Sequence, residues 1–246
     1  MSAEDERSSS GSEEVKFSEF EGVLGVDEIV RRIPKFFTIS FASRRNSGKS
    51  HLCRQLVQLL LRQKKCDIAL VLSGTAELND DWDFLPPGLV QSFSEVTLVN
   101  LWSRQQKATL EWRSAGKSTK LVPQHVLVVL DDCLSDPAAL RSKVIEMYYT
   151  KCRHIHVSFI CISQHTSALL TPVIRANSDI ILFSKLSRVQ LKRLADEVTH
   201  MSESDFIRVS EACGGHDFNF LLLDKYIQSS DPLDCITVVR AAAKSR

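Results

Sequence analysis

The chain has 246 residues, of which 43% are hydrophobic and 25% are charged, and its formal net charge is +1. This composition is typical of a globular protein with a sizeable core, and the near-zero charge means that any contact with nucleic acid must come from local basic patches. No apolar stretch reaches the roughly 18 to 20 residues of a membrane span, and the N-terminus lacks the basic-then-apolar profile of a secretory signal.

The first segment, residues 1–18, is acidic and serine-rich, with few side chains to bury. Such a composition predicts a disordered tail, so that residues 19–246 form the folded domain. The seven cysteines are scattered and include no C-x-x-C pair. This pattern predicts reduced, buried thiols in an intracellular protein, and neither a disulfide framework nor a zinc site.

Predicted strands and helices alternate after the tail. The strands are apolar runs at 36–42, 68–72, 126–130, 157–162, 179–183, 218–223 and 235–239. The helices cover 50–63, 137–149, 166–176, 188–198 and 202–213. We expect Ser135 or Asp136 to cap the second helix ahead of Pro137, and Gly214-Gly215 to end the last helix. The repeated strand-then-helix order predicts a three-layer α/β/α fold around a mostly parallel sheet.

The stretch between residues 73 and 124 interrupts this alternation. It contains three tryptophans, a PPG sequence and scattered polar residues. We interpret it as an elaborated second crossover, with an added strand at 96–101.

Residues 43–50, SRRNSGKS, have the context of a phosphate-binding loop between a strand and a helix. Such a loop presents backbone N–H groups to an anion, its lysine reaches the β- and γ-phosphates, and the next hydroxyl binds magnesium. Serine replaces the first glycine of the G-x4-G-K-[ST] pattern, which requires that its φ stays negative or that the loop opens differently. An ordinary strand–helix turn is the alternative. The residues predicted to contact ATP are Ser43, Arg44, Arg45, Asn46, Ser47, Gly48, Lys49, Ser50 and His51.

A second GKS sequence, Gly116-Lys117-Ser118, provides an internal control. No buried strand precedes it, and a proline follows it where a helix should begin. We therefore predict a basic surface loop without a role in phosphate binding.

The apolar run VLVVLDD ends in Asp131 and Asp132. Next to a phosphate loop, a carboxylate at the end of a buried strand can hold Mg²⁺. We predict that Asp131 binds the metal together with Ser50, and that Asp132 orients and deprotonates the attacking water. We expect this strand to lie directly beside the strand of the phosphate loop. Without that loop, the two carboxylates would be interpreted as a strand cap.

The next strand ends in Gln164, where a side-chain amide can contact the γ-phosphate or the water. Arg153 precedes the same strand and therefore belongs to the opposite end of the sheet. It cannot easily reach its own nucleotide but can reach that of a neighbouring subunit, and a guanidinium spreads positive charge over several donors. The alternatives are a solvated turn residue for Gln164 and a surface arginine for Arg153.

In this order, SRRNSGKS, VLVVLDD, CRHIHVSFICISQ and SDIILFSKLSRVQLKRLADEV resemble the poxvirus-type genome-packaging ATPases of the FtsK–HerA superfamily. These are P-loop ATPases with an additional strand, found in large DNA viruses, virophages and related elements. The resemblance runs from about residue 22 to about residue 225. Its most specific segment is R-H-x-x-x-S-x-I-x-x-x-Q, from Arg153 to Gln164.

The resemblance implies a ring, expected to be a hexamer, that hydrolyses ATP with Mg²⁺ and pulls double-stranded DNA into a preformed capsid. It also implies a capsid or portal partner and a place in the host cytoplasm or nucleus, at the site of virus assembly or in the virion. By this resemblance Lys49 binds phosphates, Gln164 senses the γ-phosphate and Arg153 is a finger acting on the neighbouring subunit. The predicted contacts with the DNA backbone are Arg104, Lys107, Arg113, Lys117 and Lys120.

Two other functions fit a phosphate loop. A small nucleotide or nucleoside kinase matches the length, although no arginine-rich lid is evident in the sequence. A nucleotide-switched assembly protein without catalysis is the other alternative. The intact lysine and carboxylates disfavour it, and Ser43 keeps it open.

Overall fold

The computed structural model describes residues 24–76, 80–132, 139–197, 201–214, 218–227, 234 and 236–242. The predicted tail at residues 1–18 lies outside the described residues, as does the predicted domain boundary. Among the described residues, no helix is both long enough and apolar enough to cross a membrane.

In the described part of the chain, eight strands form one sheet in the order β3-β2-β4-β5-β1-β6-β7-β8. They are β1 (Thr38–Ser43), β2 (Ile68–Ser73), β3 (Val90–Gln91), β4 (Val126–Asp131), β5 (Val157–Ser163), β6 (Ile180–Ser184), β7 (Asn219–Asp224) and β8 (Ile236–Arg240). Pairing is parallel from β3 through β6, and antiparallel only between β6 and β7 and between β7 and β8. The predicted mostly parallel sheet is confirmed, and β3 is an addition that the sequence did not predict.

The helices connect these strands. They are α1 (Val26–Arg32), α2 (Lys49–Arg62), α3 (Glu95–Ser114), α4 (Lys143–Lys151), α5 (Thr166–Leu169), α6 (Pro172–Asn177), α7 (Arg188–Ala195) and α8 (Glu203–Gly214). Short 3₁₀ turns at Asp80–Trp82, Thr119–Leu121, Ala139–Arg141 and Cys152–Ile155 lie between them.

The strand predicted at 96–101 is wrong, because this segment belongs to the 20-residue helix α3. Its inward side chains follow a helical spacing, with Leu98 and Gln105 buried, whereas the two valines of this segment point outward. Val96 is 67% exposed and Val99 is 44% exposed. The period of the buried positions therefore prevailed over the local preference of valine for strands.

Several helix boundaries differ from the prediction. The helix predicted at 137–149 begins at Lys143, where the Ser142 side chain accepts a hydrogen bond from the N–H of Ile145. Ser135, Asp136 and Pro137 lie outside the described residues. The helix predicted at 166–176 is divided in two, because Pro172 starts a new helix that is capped by Thr171. Gly214 is the last residue of α8 and does not lie beyond its end.

Helices cover both faces of the sheet, so the predicted three layers are confirmed. One core cluster packs α1, α2 and the segment around Trp82 against one face. The other cluster packs α3 to α8 against the opposite face. Alternate residues of β4 serve the two clusters, with Val128 in one and Val129 in the other. Cys53, Cys66, Cys152 and Cys161 are free and buried within these cores, as the sequence predicts for its described cysteines.

Candidate functional site

The central strands β1, β4 and β5 run in the same direction and end at one edge of the sheet, which we call the carboxyl edge. The register pairs Ala42 of β1 with Ser163 of β5, and Asp131 of β4 with Ile162 of β5. The predicted adjacency of β1 and β4 is wrong, because β5 lies between them. The residues that follow the three strands nevertheless converge, as the contacts below show.

The phosphate loop turns from β1 into α2. Asn46 and Gly48 have positive φ values of 58° and 88°, and Gly48 is the N-cap residue of α2. Ser43 is still part of β1 and keeps a negative φ, which removes the steric objection to serine at this position. Its Oγ lies 2.6 Å from Oγ of Ser47, so that a hydroxyl pair closes the base of the loop. No side chain forms a capping hydrogen bond at Gly48, the N-cap of α2. The first N–H groups of a helix can bind an anion when no side chain caps them.

Lys49 is the first residue of α2 and is only 4% exposed. Its Nζ lies 3.0 Å from Oδ2 of Asp132. A buried ammonium needs a negative partner, and this carboxylate supplies one. The structure thus joins the predicted phosphate lysine directly to the predicted catalytic carboxylate.

Asp131 is buried at the end of β4 and accepts two hydrogen bonds. Ser50 Oγ donates to Oδ1 at 2.8 Å, and Trp82 Nε1 donates to Oδ2 at 3.2 Å. Burial raises the pKa of the Asp131 carboxyl, and the two hydrogen bonds offset this only in part. Trp82 was not predicted as a site residue, and no motif marks it, since it comes from the irregular segment after β2.

The pair Ser50 and Asp131 fits Mg²⁺. Hydroxyl and carboxylate oxygens are the hard ligands that this ion prefers, and it binds through one or two protein groups plus substrate phosphates. Burial desolvates the Asp131 carboxylate. Among the described residues, it has no cationic partner as close as Lys49 is to Asp132. A divalent cation would supply that missing positive charge.

Asp132 and Gln164 form the third contact of the site. The backbone N–H of Gln164 donates to Asp132 Oδ1 at 3.2 Å, and its Nε2 donates to Oδ2 at 2.7 Å. Asp132 has a φ of 48°, a left-handed conformation that turns the residue off the end of β4. The intervening strand β5 therefore provides the amide that orients this carboxylate.

The remaining predicted loop residues lie at the rim. Arg44 and Arg45 are exposed on the loop. His51 points away from it, and its Nε2 lies 2.8 Å from the carbonyl oxygen of Ala242 near the end of the described chain. The structure gives His51 a contact with the C-terminal segment and none with the phosphate loop.

Arg153 lies at the opposite edge of the sheet, as predicted, in the 3₁₀ turn ahead of β5. One guanidinium nitrogen is 3.7 Å from Oδ1 of Asp179, just before β6. The other oxygen of Asp179 accepts from the N–H and the hydroxyl of Thr38, at 2.7 and 3.0 Å. The arginine is thus held beside the first residue of β1, the strand whose far end carries the phosphate loop.

The second GKS sequence lies elsewhere. Gly116 and Lys117 have positive φ values of 67° and 58° in an exposed turn after α3. The N–H of Lys117 donates to the carbonyl of Trp112 at 2.9 Å, which ends that helix. The predicted surface loop is confirmed.

Comparison with known proteins yields viral relatives without an assigned function. No protein-family profile matches the chain. Uncharacterized protein 075L of Invertebrate iridescent virus 6 is 29% identical over 150 residues, which are 60% of this chain and 54% of that protein. Uncharacterized protein 015R of Frog virus 3 is 29% identical over 140 residues, 56% of this chain and 40% of that protein. The chain thus spans about half the length or less of the curated relatives that it matches.

Solved structures show the same fold. The genome packaging NTPase B204 from Sulfolobus turreted icosahedral virus 2, in complex with ATP-gammaS, has a TM-score of 0.55 at 15% identity and covers 84% of this chain and 98% of its own. B204, the DNA-packaging ATPase from Sulfolobus turreted icosahedral virus, has a TM-score of 0.57 at 15% identity and covers 85% and 99%. The pCW3 conjugation coupling protein TcpA with ATPgS has a TM-score of 0.54 at 15% identity. The match covers 76% of this chain and 56% of that one.

The fold of this chain is therefore that of the P-loop ATPases, with a mostly parallel sheet whose carboxyl edge carries the loop. At these identities the likeness establishes the fold alone.

Proposed function

We propose that this protein is an ATP-hydrolysing motor that translocates double-stranded viral DNA into a capsid. The observation that carries the proposal is the convergence of the phosphate lysine, the metal pair and the catalytic carboxylate at one edge of the sheet. The contacts are Lys49 to Asp132, Ser50 to Asp131 and Gln164 to Asp132. The names of the structural neighbours, which include a genome packaging NTPase and a conjugation coupling protein, support the same class of activity.

Each residue has a role that follows from its position. Lys49 would exchange its contact with Asp132 for the β- and γ-phosphates, since both are anionic partners for a buried ammonium. Asp132, released from the lysine and still held by the amide of Gln164, would accept the proton of the attacking water. Mg²⁺ held by Ser50 and Asp131 would neutralise charge on the phosphates.

A ring is favoured by the position of Arg153. The six residues of β1 separate its neighbourhood from the phosphate loop of the same subunit, a distance of about 20 Å at ~3.3 Å per residue. The Arg153 side chain is 39% exposed, and its guanidinium contacts Asp179 at the edge opposite the phosphate loop. We therefore propose that it acts on the nucleotide of the next subunit in a ring, for which the resemblance suggests six members.

Exposed basic side chains suit contacts with DNA. Arg104 and Lys107 lie on α3, and Arg113 at the end of this helix donates to the carbonyl of His154 at 3.2 Å, beside Arg153. Lys117 and Lys120 follow the helix, and all five basic residues are exposed. Contacts with phosphate carry no base preference, which suits a motor that must move any sequence.

The proposal is tested by measuring phosphate release from ATP with and without duplex DNA, for the wild-type protein and Asp132→Asn. We expect DNA to stimulate the wild type, and Asp132→Asn to bind ATP but to hydrolyse it about 100- to 10,000-fold more slowly, the range of a lost general base. Turnover that is indifferent to duplex DNA would instead favour the kinase. Equal rates for the two proteins would favour a nucleotide-switched assembly protein.

A further inference from the structure

Phe218 lies at the carboxyl edge, and its large aromatic side chain is 54% exposed. It directly precedes β7, which runs antiparallel to β6 and pairs Leu221 with Phe183. The start of β7 therefore lies where β6 ends. Because Ser184 of β6 pairs with Ser43 of β1, Phe218 is placed at the level of the phosphate loop.

The ring contacts the loop itself. A methyl group on Gly48 would lie 2.8 Å from Cδ1 and 3.5 Å from Cε1 of Phe218, so the ring rests against this glycine. Phe218 also has a φ of 63°, a left-handed conformation that bulky residues rarely adopt. Core packing does not account for a half-exposed ring held in this conformation, and such outliers concentrate at ligand sites.

The strand order gives this ring a definite place relative to the phosphates. β4, with the metal carboxylate, lies on one side of β1, and β7 lies on the other. A triphosphate bound at Gly48–Ser50 has its metal-bound end towards Asp131 and Asp132. Its nucleoside end would then leave the loop away from these carboxylates, on the side of Phe218.

We propose that Phe218 is the platform on which the nucleobase of the bound nucleotide stacks. Every base has a π-face, so an exposed aromatic ring binds it through stacking without a hydrogen-bond code. This inference rests on the proposed function, because it assumes that the loop binds a nucleoside triphosphate. It adds a recognition element for the base, which the phosphate-binding residues do not provide.

The test compares binding of AMPPCP, which carries a base, with binding of inorganic tripolyphosphate, which does not, both with Mg²⁺. We expect Phe218→Ala to weaken AMPPCP binding about 5- to 100-fold, the range of one base stacked on an aromatic ring, and to leave tripolyphosphate binding unchanged. Phe218→Trp should retain AMPPCP binding. Leu121→Ala is the matched control, since Leu121 is also 54% exposed but precedes β4 at the opposite edge.

Equal weakening of both ligands by Phe218→Ala would overturn the proposal, because the ring would then only shape the loop. No effect on either ligand would overturn it as well. The variant Lys49→Ala distinguishes a failure of the stacking proposal from a failure of the proposed function. It should weaken both ligands, and binding of tripolyphosphate that is insensitive to Lys49 would show that the loop is not a phosphate site at all.

Discussion

The folded protein accommodates the charge of the Asp131 carboxylate poorly. This carboxylate is buried, and hydrogen bonds from Ser50 and Trp82 replace only part of its hydration. The raised pKa of Asp131 records this cost. Such a cost is unfavourable for folding alone and is explained if the site is built to receive a cation.

The cost predicts a pH-dependent stability difference between the wild type and Asp131→Asn. Because the folded pKa of Asp131 is raised, the folded protein binds this proton more tightly than the unfolded chain, and its stabilising effect is lost as pH rises. In metal-free buffer, the melting temperature of Asp131→Asn relative to wild type should therefore increase between the ordinary carboxyl pKa of about 3.9 and the raised folded value. Above that window the difference should be constant.

Thermal unfolding of both proteins in a chelating buffer, from about pH 4 to about pH 8, measures this difference. Asparagine can still pair with Ser50 and Trp82, one group donating and the other accepting. A difference that does not change with pH, or that shrinks as pH rises, would show that Asp131 is not destabilised by burial of its charge.

Among the secondary-structure elements, strand β1 links the phosphate loop with the surroundings of Arg153. Its first residue, Thr38, donates to Asp179, which pairs with Arg153, and its last residue, Ser43, opens the phosphate loop. Asp179 is 8% exposed and is fixed by these hydrogen bonds. It is therefore a positioning residue for the arginine that we propose to act on the neighbouring subunit.

Mixing experiments test this link. Arg153→Ala should retain ATP binding but lose about 1,000-fold or more in hydrolysis, the range of an arginine finger. Asp179→Asn should lose about 10- to 100-fold, since a misplaced group costs that much. Mixed with Lys49→Ala, each variant should regain activity, because interfaces then form between an intact arginine and an intact phosphate loop.

A failure to recover activity in either mixture would show that the residue acts within its own subunit or only stabilises the fold. Melting temperatures of the variants provide the control for folding. Loss of ATP binding by Arg153→Ala would likewise contradict an action on the neighbour.

Element by element, the sequence predicts best what local patterns determine. The phosphate-loop motif between a strand and a helix predicts Lys49. Asp131 and Gln164 are predicted because they stand at the ends of buried apolar strands, and parallel strands end together. Trp82 was missed because its contact with Asp131 depends on how the segment after β2 folds back. The strand predicted at 96–101 failed for a related reason, since only packing reveals that its valines face outward.

In the whole molecule, the residues of the proposed site are distributed across the strands of the sheet, and Arg153 is separated from them along the strands. Across the sheet, β4 and β5 bring the carboxylate and amide, β1 brings the loop and β7 brings Phe218. Along the strands, the proposed nucleotide site occupies one edge and Arg153 the other. Two different edges of one subunit can thus take part in two different interfaces of a ring, which is the arrangement that a closed head-to-tail assembly requires.

The two GKS sequences provide the most direct test of the central claim, that Lys49 lies in a phosphate site with Asp131 and Asp132. Magnesium-dependent phosphate release from ATP should be measured for Lys49→Ala and Lys117→Ala, without DNA so that any contact of Lys117 with DNA does not enter. We expect Lys49→Ala to abolish activity and Lys117→Ala to retain it, since Lys117 lies in an exposed turn after α3. Equal activity of the two variants, whether both active or both inactive, would contradict the central claim.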